Sequence, residues 1–267
     1  MGVPFAEVIG DPVAFSKSPA IHGHWLAQMG IEGHYRATRV TAPELPSYLA
    51  ERCADPDWRG CNVTMPLKQA VAEHLDDVNP IARRIGAVNT IVRYDEMLCG
   101  LNTDWIGVNL ALMQSLEGKD TVVIGAGGAA RAVLEELRQA KPQKVTIMNR
   151  SQDKAAALLD RFGLEGEVRP LGAAPPADLL VNASPLGMAG HPELEVDISA
   201  LRPGAIVFDL VYHPLETALL RTARAAGLRT LDGLDMLVCQ ASMAFTHFFG
   251  APPEPMWTPE LRELLAR

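Results

Sequence analysis

One stretch of the sequence decides the fold class: TVVIGAGGAARAVLEELRQAKPQKVTIMNRS, residues 121–151. It contains a β-branched run, a turn of small residues, a run of helix formers and a second β-branched run, the pattern of a βαβ unit. Two further apolar runs, ADLLVNASP and AIVFDLVYHP, end in turn residues and alternate with helical segments such as ETALLRTARAAG. Such alternation is typical of a parallel sheet covered by helices on both faces. The sequence therefore predicts a doubly wound α/β domain.

The small residues after the first strand follow the pattern G-x-G-x-x-A, which comprises Gly125, Ala126, Gly127, Gly128, Ala129 and Ala130. Glycines permit a tight turn and a close approach of the backbone, and the helix start then offers N–H groups and a positive dipole end to a pyrophosphate. A turn that only packs is the alternative. Because the pattern follows a strand and opens a helix, we expect a Rossmann-type dinucleotide site.

The residues at the end of the next strand indicate which of the two nicotinamide cofactors, NAD or NADP, is expected. It carries no acidic residue for a ribose hydroxyl; Asn149 and Arg150 stand there, with Ser151 following and Lys154 nearby. A guanidinium group suits the 2′-phosphate of NADP, because its planar donors bind phosphate oxygens in pairs. The alternative is a solvated Arg150 beside a serine helix cap. We expect NADP rather than NAD.

The first hundred residues also alternate between strands and helices. Strands are expected at AEVIG, HYRATRV, GCNVT and NTIVRY, and helices from about Pro19, Pro43 and Pro66. The late segment MLVCQASMAFTHFFG is apolar almost all round, so it is expected to pack into a groove between elements. The sequence therefore predicts a second α/β region, to which this segment returns.

Composition excludes several classes of protein. The chain has 267 residues, 48% of them apolar, and a net charge of −8 without a conspicuous basic run, which argues against nucleic-acid or anionic-membrane partners. No apolar stretch reaches the length of a membrane span and the start lacks a signal-peptide pattern, so we expect a cytoplasmic protein. The scattered cysteines and the histidine spacing predict neither disulfides nor a metal site.

The segment FSKSPAIH, residues 15–22, places Ser16 and Ser18 just before a helix that begins near Pro19. Ser18 suits the N-cap position, and Pro19 suits the first helical position. Two hydroxyls beside free N–H groups also suit a carboxylate. The spacing alone leaves both interpretations open.

The segment GCNVTMPLKQAV, residues 60–71, places Lys68 in the first turn of an expected helix. An ammonium group there opposes the helix dipole, which favours the neutral amine and proton exchange. A surface lysine is the alternative. Asp104, in GLNTDWIGVNLAL, lies in the first turn of another expected helix, where a carboxylate complements the dipole. If the two helix starts face each other, Lys68 and Asp104 form a proton-transfer pair.

Three amide side chains stand in apolar surroundings: Asn62, Asn89 and Gln240. A buried amide without a partner costs about 1–3 kcal/mol, so each requires one. The partner is either the protein backbone or the hydroxyls of a bound polyol.

Taken in chain order, nine short motifs resemble those of the shikimate dehydrogenase family: SKSP, CNVTMPLK, GAVNTIV, GLNTDWIG, GAGGAARA, NRS, NASPLGM, YHPLET and MLVCQA. Each motif is modest alone, but the series spans nearly the whole chain in the family's order. The resemblance implies an NADP-dependent oxidoreductase that interconverts 3-dehydroshikimate and shikimate.

The resemblance also implies roles for individual residues. Lys68 and Asp104 would transfer the proton, and Ser184 and Met236 would contact the cofactor. The remaining substrate-binding residues would be Ser16 and Ser18 at the carboxylate, and Asn62, Thr64, Asn89, Gln240 and Tyr212 around the rest of the substrate. The expected organisation is a substrate and catalytic domain at 1–101, a Rossmann NADP domain at 102–235, and helices at 236–267 that return to the first domain.

Four positions depart from the family's usual pattern: Phe15, Gly23, Asp235 and Met243. Asp235 places a carboxylate near the expected nicotinamide, which raises the alternative of a relative acting on quinate or an aminoshikimate. Ser18, rather than threonine, favours shikimate. A dinucleotide-sensing protein without catalysis ranks last, because both proton-transfer candidates are present. A monomer and a homodimer are both compatible with the sequence.

Overall fold

The computed structural model describes residues 2–112 and 115–266. The chain divides into two compact units, the first formed by Met1–Ile106 with Val238–Arg267 and the second by Gly107–Leu237.

Within the described residues the strands are β1 (Phe5–Gly10), β2 (His34–Arg39), β3 (Trp58–Val63), β4 (Asp77–Val78), β5 (Thr90–Tyr94), β6 (Met97–Leu101), β7 (Asp120–Ile124), β8 (Lys144–Met148), β9 (Gly166–Arg169), β10 (Leu179–Asn182), β11 (Ile206–Asp209) and β12 (Arg229–Leu231). The α-helices are α1 (Ser18–Met29), α2 (Leu45–Ala54), α3 (Leu67–Ala70), α4 (Pro80–Ile85), α5 (Asp104–Leu112), α6 (Gly128–Ala140), α7 (Gln152–Phe162), α8 (Ala218–Ala225), α9 (Gly233–Phe249) and α10 (Pro259–Ala266). Short 3₁₀ turns cover Ala42–Glu44 and Val71–His74.

The sheet of the first unit has the strand order β2-β1-β3-β5-β6-β4 over the described residues. Strand β1 pairs in parallel with β2 and β3, whereas β5 pairs antiparallel with both β3 and β6. The expected strands β1, β2, β3 and β5 are confirmed, but β6 was not predicted. Its hairpin turn is Asp95-Glu96, with Asp95 at φ 53°, and this turn lacks the Asn-Gly or Asp-Gly signal of a two-residue hairpin.

The sheet of the second unit is parallel throughout the part that the structure describes, in the order β12-β11-β10-β7-β8-β9. Strand order reverses between β7 and β10, the kind of position at which doubly wound sheets bind ligands beyond their carboxyl ends. Gly125 follows β7 there with φ 108°, and a Cβ atom on it would lie 3.0 Å from the carbonyl oxygen of Ala183, just after β10. The predicted doubly wound fold is confirmed.

Each unit has its own apolar core. In the first, Trp58, Leu67 and Ile91 are fully buried, and in the second the sheet residues Ile124 and Val207 pack against α8 through Leu220. The predicted burial of the late apolar segment is confirmed, because Val238, Ala241 and Phe245 of α9 are inaccessible to solvent. From Val238 onward, α9 belongs to the first unit.

Candidate active site

Lys68 and Asp104 are in direct contact within the first unit. The Nζ atom of Lys68 donates a hydrogen bond to Oδ2 of Asp104 over 2.7 Å, and the two side chains are 27% and 11% exposed. The residues are 36 positions apart in sequence. The starts of helices α3 and α5 therefore face each other. In the sequence analysis, the pairing of Lys68 with Asp104 depended on this arrangement.

The helix-dipole argument made for Lys68 is wrong. Helix α3 begins at Leu67 and contains four residues, so that its first turn is also its last. A helix this short has almost no aligned peptide dipoles. The position of Lys68 comes instead from its backbone, because its carbonyl accepts a hydrogen bond from Val88 N over 2.7 Å.

Asp104 is held on both sides of its carboxylate. It is the first residue of α5, and its N–H donates to Oδ1 of Asn102 over 3.0 Å. Asn89 Nδ2 donates to Asp104 Oδ1 over 2.8 Å. Oδ2 is thus directed to the ammonium group of Lys68, and the carboxylate orientation is fixed by neighbours rather than by solvent.

The buried amides have protein partners that link them into one polar network. Asn62 Nδ2 donates to Thr90 Oγ1 over 3.0 Å, and its Oδ1 accepts a bond from the Tyr35 hydroxyl over 2.6 Å. Asn89 accepts the Thr103 N–H over 2.7 Å, and Thr103 Oγ1 donates to Gln240 Oε1 over 3.3 Å. The structure therefore brings together five of the predicted residues: Asn62, Lys68, Asn89, Asp104 and Gln240.

Tyr35, Thr90 and Thr103 belong to this network but were not predicted. Thr90 and Thr103 each follow an asparagine, so the repeated Asn-Thr pair in GAVNTIV and GLNTDWIG was an available signal. No sequence signal pointed to Tyr35. It lies on β2 and Asn62 lies on β3, so its hydroxyl reaches Asn62 across the intervening strand β1. Burial raises the pKa of Tyr35 well above its usual value, and a hydrogen bond with the Ser18 hydroxyl partly offsets the rise.

Ser16 lies just before α1 and Ser18 is its first residue, but Ser18 does not form the expected N-cap. Lys17 occupies the N-cap position without a side-chain cap bond, Ser18 is the first helical residue, and Pro19 follows it. The N-cap interpretation of Ser18 is therefore wrong, because the helix already includes Ser18. Ser16 Oγ instead accepts the Ser18 N–H over 3.3 Å. Thr64 lies just after β3, half-buried, with its N–H bound to the Ile9 carbonyl over 2.9 Å.

The glycine-rich turn of the second unit leaves space for a phosphate group. Gly127 is the N-cap residue of α6 and has no side chain to cap the helix, and a Cβ atom on Gly127 or Gly128 would meet nothing within 4 Å. Ala126 and Ala129 are half-buried beside them, while Ala130 is fully buried. The first N–H groups of α6 are thus open to an anion, so these residues fit a dinucleotide.

The loop after β8 carries the residues expected to select NADP. Asn149 Nδ2 donates to the Ser151 carbonyl over 2.8 Å and closes the turn. Arg150 and Lys154 are exposed. Ser151 occupies the cap position of α7 but forms no side-chain cap bond. Arg150 thus stands two residues after β8, and Lys154 lies in the first turn of α7.

Ser184 is bonded into a buried network at the carboxyl ends of β10 and β11. Its hydroxyl donates to Asn182 Oδ1 over 2.7 Å, and Asn182 Nδ2 donates to Asp209 Oδ1 over 2.9 Å. Asp209 also accepts the Thr217 hydroxyl over 2.7 Å, and its burial raises its pKa. Asn182 and Asp209 were not predicted, although both lie in quoted apolar runs.

Tyr212 follows β11 by three residues, and its burial raises its pKa. Met236 is half-buried in the first turn of α9. That helix begins close to β11, since a Cβ atom on Gly233 would lie 2.3 Å from the Leu210 carbonyl oxygen. Together with Ser184, these residues lie in the second unit.

The departures from the family pattern differ in their environments. Phe15 is 90% exposed beside Ser16. Asp235 is half-buried in the first turn of α9, where a carboxylate complements the helix dipole, and its N–H bonds to Asp232 Oδ1 over 3.3 Å. A carboxylate in this turn is favourable without a ligand.

Over residues 2–112 and 115–266, no cluster of three or more histidine, cysteine or acidic side chains is arranged to hold a metal ion. Over the same ranges, the helices are too short or too polar to span a bilayer.

Comparisons with known proteins agree on one family. Residues 8–91 match the family described as "Shikimate dehydrogenase substrate binding domain", and residues 109–177 match "Shikimate / quinate 5-dehydrogenase". The shikimate dehydrogenase (NADP(+)) of Sphingopyxis alaskensis is 59% identical over 98% of this chain and 97% of its own.

Two solved structures illustrate the similarity of fold. The shikimate 5-dehydrogenase of Thermus thermophilus, in complex with NADP(H) and shikimate, is 38% identical with a TM-score of 0.84 and covers 98% of each chain. The ligand-free 5-ketofructose reductase of Gluconobacter sp. strain CHM43 is 30% identical with a TM-score of 0.91, over 99% of this chain and 98% of its own. Two regions match this family, and a relative that carries its name is 59% identical over nearly the whole chain. The chain therefore belongs to the shikimate dehydrogenase family.

Proposed function

We propose that the protein catalyses the NADP-dependent interconversion of 3-dehydroshikimate and shikimate. The observation that carries the proposal is the 2.7 Å contact between Lys68 Nζ and Asp104 Oδ2 inside a network of buried amides and hydroxyls. A ketone reduction needs a proton donor at the carbonyl oxygen, and an ammonium group held by a carboxylate meets that need. The relative from Sphingopyxis alaskensis, with its stated NADP(+) dependence, supports the same reaction.

In the proposed mechanism, bound NADPH supplies the hydride to the ketone carbon. Lys68 donates its proton to the ketone oxygen during reduction and accepts it from the alcohol in the reverse direction. Asp104 holds Lys68 in place and itself is held by Asn89 Nδ2 over 2.8 Å. Such a positioned acid typically contributes about 10²–10⁴-fold to the rate.

The other proposed substrate contacts follow the chemistry of a hydroxylated carboxylic acid. Ser16 and Ser18 bind the carboxylate through hydroxyl and N–H donors. The amides and hydroxyls of Asn62, Thr64, Asn89, Gln240 and Tyr212 bind the remaining polar groups. Because Asn62 and Asn89 already bond to Thr90 and Thr103, their orientations are set before a ligand arrives.

For the cofactor, residues 125–130 hold the pyrophosphate at the start of α6, and Asn149, Arg150, Ser151 and Lys154 hold the adenosine 2′-phosphate. Ser184 and Met236 contact the nicotinamide end. Support comes from the uncapped helix start and from the two exposed cations after β8.

The proposed domains are 1–101 for substrate and catalysis, 102–235 for NADP, and 236–267 as helices that return to the first. The proposed location is the cytoplasm, since all four cysteines are free thiols, as is usual in a reducing compartment. The proposed assembly is a monomer or a homodimer.

Quinate, an aminoshikimate and 5-ketofructose are the competing substrates. The last is suggested by the TM-score of 0.91 to the Gluconobacter reductase. Shikimate is favoured by the two serines at the start of α1, which provide a subsite for a carboxylate that 5-ketofructose does not possess.

The test follows nicotinamide absorbance with purified protein. NADP and NAD are each combined with shikimate and quinate, and NADPH is combined with 5-ketofructose; Lys68→Met serves as the inactive control. Rapid reduction of NADP with shikimate, and slow or no reaction in the other combinations, is the expected result. Faster turnover of quinate or 5-ketofructose would replace the proposed substrate, and a lack of turnover in every combination would reject the proposal.

A further inference from the structure

The C-terminal segment of the first unit is bonded to α1 along the length of that helix. Trp25 Nε1 donates to the Met256 carbonyl over 3.0 Å, and Gln28 Nε2 donates to the Pro255 carbonyl over 3.1 Å. His24 Nε2 and Thr258 Oγ1 lie 3.1 Å apart. The segment is therefore a fixed part of the structure around α1, with Trp25 fully buried beneath it.

Lys17 makes the contact nearest to the proposed carboxylate subsite. Its Nζ donates to the carbonyl of Leu265 over 2.7 Å, 248 positions away in sequence. Leu265 lies in the last turn of α10, where helix carbonyls lack intrahelical partners and the dipole is negative. A lysine ammonium is well suited to that position, because its bond is charge-assisted.

Lys17 also stands between the two serines on the chain. It is the N-cap residue of α1, with Ser16 before it and Ser18 after it. Within this segment, a cap-like bond runs from the Ser18 N–H to Ser16 Oγ over a long 3.3 Å. The N-cap residue makes no side-chain cap bond, so its side chain is free to bond to α10 and adds a long-range restraint on the start of the helix to the contact of Ser18 with Tyr35.

We propose that Lys17 is a positioning residue for substrate binding: by bonding to the end of α10, it holds Ser16 and Ser18 where they bind the substrate carboxylate. The inference rests on the proposed function, because it assigns the carboxylate to these serines. Without the bond from Lys17 to Leu265, the segment with Ser16 and Ser18 samples more conformations. Substrate binding must then order this segment, which lowers the affinity for the substrate.

The first test compares Lys17→Met with Lys17→Arg by steady-state kinetics. Lys17→Met is expected to raise the KM for shikimate about tenfold and to leave the KM for NADP unchanged, because the freed serine segment must be ordered again when the substrate binds. Lys17→Arg keeps a charged donor and is expected to recover most of the affinity. An unchanged KM for shikimate in Lys17→Met would overturn the inference.

Gln28→Ala provides the matched control for a general loosening of the C-terminal segment. It removes a bond to the same segment, at Pro255, but lies about three turns along α1 from the serines. It is expected to lower the melting temperature without changing the KM for shikimate. An equal rise in KM in Gln28→Ala would show that Lys17 has no special role and would overturn the inference.

A deletion of residues 264–267 separates positioning from direct contact with the substrate. It removes the acceptor carbonyl, so it is expected to raise the KM for shikimate like Lys17→Met, and the two changes together are expected to add nothing further. A full additional effect of Lys17→Met in the deleted chain would mean that Lys17 binds the carboxylate itself. If the deleted chain does not fold, the KM values of Lys17→Met and Gln28→Ala for shikimate decide whether the inference holds.

Failure of the proposed function gives a different result. A wild-type protein that binds NADP but does not oxidise shikimate would reject both proposals. Normal wild-type turnover with an unaffected Lys17→Met variant would reject only the role of Lys17.

Discussion

At the scale of single residues, Lys68 and Arg150 show that a side chain's surroundings decide its chemistry. Lys68 contacts one carboxylate oxygen of Asp104, whose other oxygen is bonded to Asn89. Arg150 is exposed two residues after β8. The proposed role of each cation therefore follows from its position beside a partner or a ligand site, and its residue type alone does not assign it.

Replacing Lys68 by alanine is expected to lower kcat by about 10²–10⁴-fold, because the proton donor is lost. The affinity for NADP, measured by fluorescence titration, is expected to stay nearly constant. Lys119→Ala, at an exposed lysine of the second unit, is the control and should keep full activity. Undiminished turnover in Lys68→Ala would remove Lys68 from the mechanism.

Replacing Arg150 by alanine is expected to weaken NADP binding about 10–100-fold, because charge-assisted hydrogen bonds contribute about 1.5–3 kcal/mol. NAD lacks the 2′-phosphate, so its dissociation constant should change little. Arg59→Ala removes an exposed arginine of the first unit and should affect neither cofactor. Equal losses for NADP and NAD in calorimetric titrations would show that Arg150 does not bind the 2′-phosphate.

At the scale of elements, Glu7 joins β1 to strand β2 and to helix α2. Its buried carboxylate accepts hydrogen bonds from Thr38 and Arg36 of β2 and from Tyr48 and Arg52 of α2. Burial alone would raise the pKa of Glu7, but these hydrogen bonds lower it below its usual value. The carboxylate is therefore charged in the folded protein and holds β1, which leads to the serine segment, against α2.

Replacing Glu7 by glutamine is expected to lower the free energy of unfolding by about 3 kcal/mol, measured by urea denaturation at neutral pH. The substitution removes the buried partner of Arg52, which is only 13% exposed, and leaves that arginine paired only with an exposed carboxylate. Glu51 contacts the same arginine but is 74% exposed, so Glu51→Gln should cost less than about 0.5 kcal/mol. Equal effects of the two substitutions would show that burial is not decisive.

At the scale of the whole molecule, a buried histidine couples folding to pH. The imidazole of His22 is stacked on the Tyr35 ring at 3.9 Å, and neither ring nitrogen has a hydrogen-bond partner among the described residues. Burial lowers its pKa to about 3 from the usual 6.5. Below pH 6.5 the unfolded chain gains a proton that the folded chain does not, so stability falls as the pH drops from 6.5 toward 3.

Replacing His22 by phenylalanine is expected to reduce this acid sensitivity and to keep the stacking on Tyr35. Between pH 7.5 and pH 5, the wild type should lose about 2 kcal/mol more unfolding free energy than the variant. Urea denaturation of both proteins at the two pH values measures the difference. The same loss in both proteins would mean that other groups account for the acid sensitivity.

The sequence by itself determined the doubly wound unit, most strands, the glycine turn and the residue types of the candidate site. The periodicity of apolar residues and the residue types of turns are local properties. A single stretch such as residues 121–151 is therefore enough to read them. The motif order was sufficient to indicate the family. Hairpin β5–β6 was missed because its turn carries no glycine, so even local structure was predicted only where the turn chemistry was typical.

Only the tertiary structure decided that Lys68 meets Asp104, that Ser18 contacts Tyr35 instead of capping α1, and that Lys17 bonds to α10. The partners in these contacts are far apart in sequence, 36 positions for the first pair and 248 for the last. Strand order and helix packing bring such residues together, and neither leaves a periodic signal around the residues concerned. A distance between two side chains is a property of the folded chain, so the chemistry that depends on it becomes visible only there.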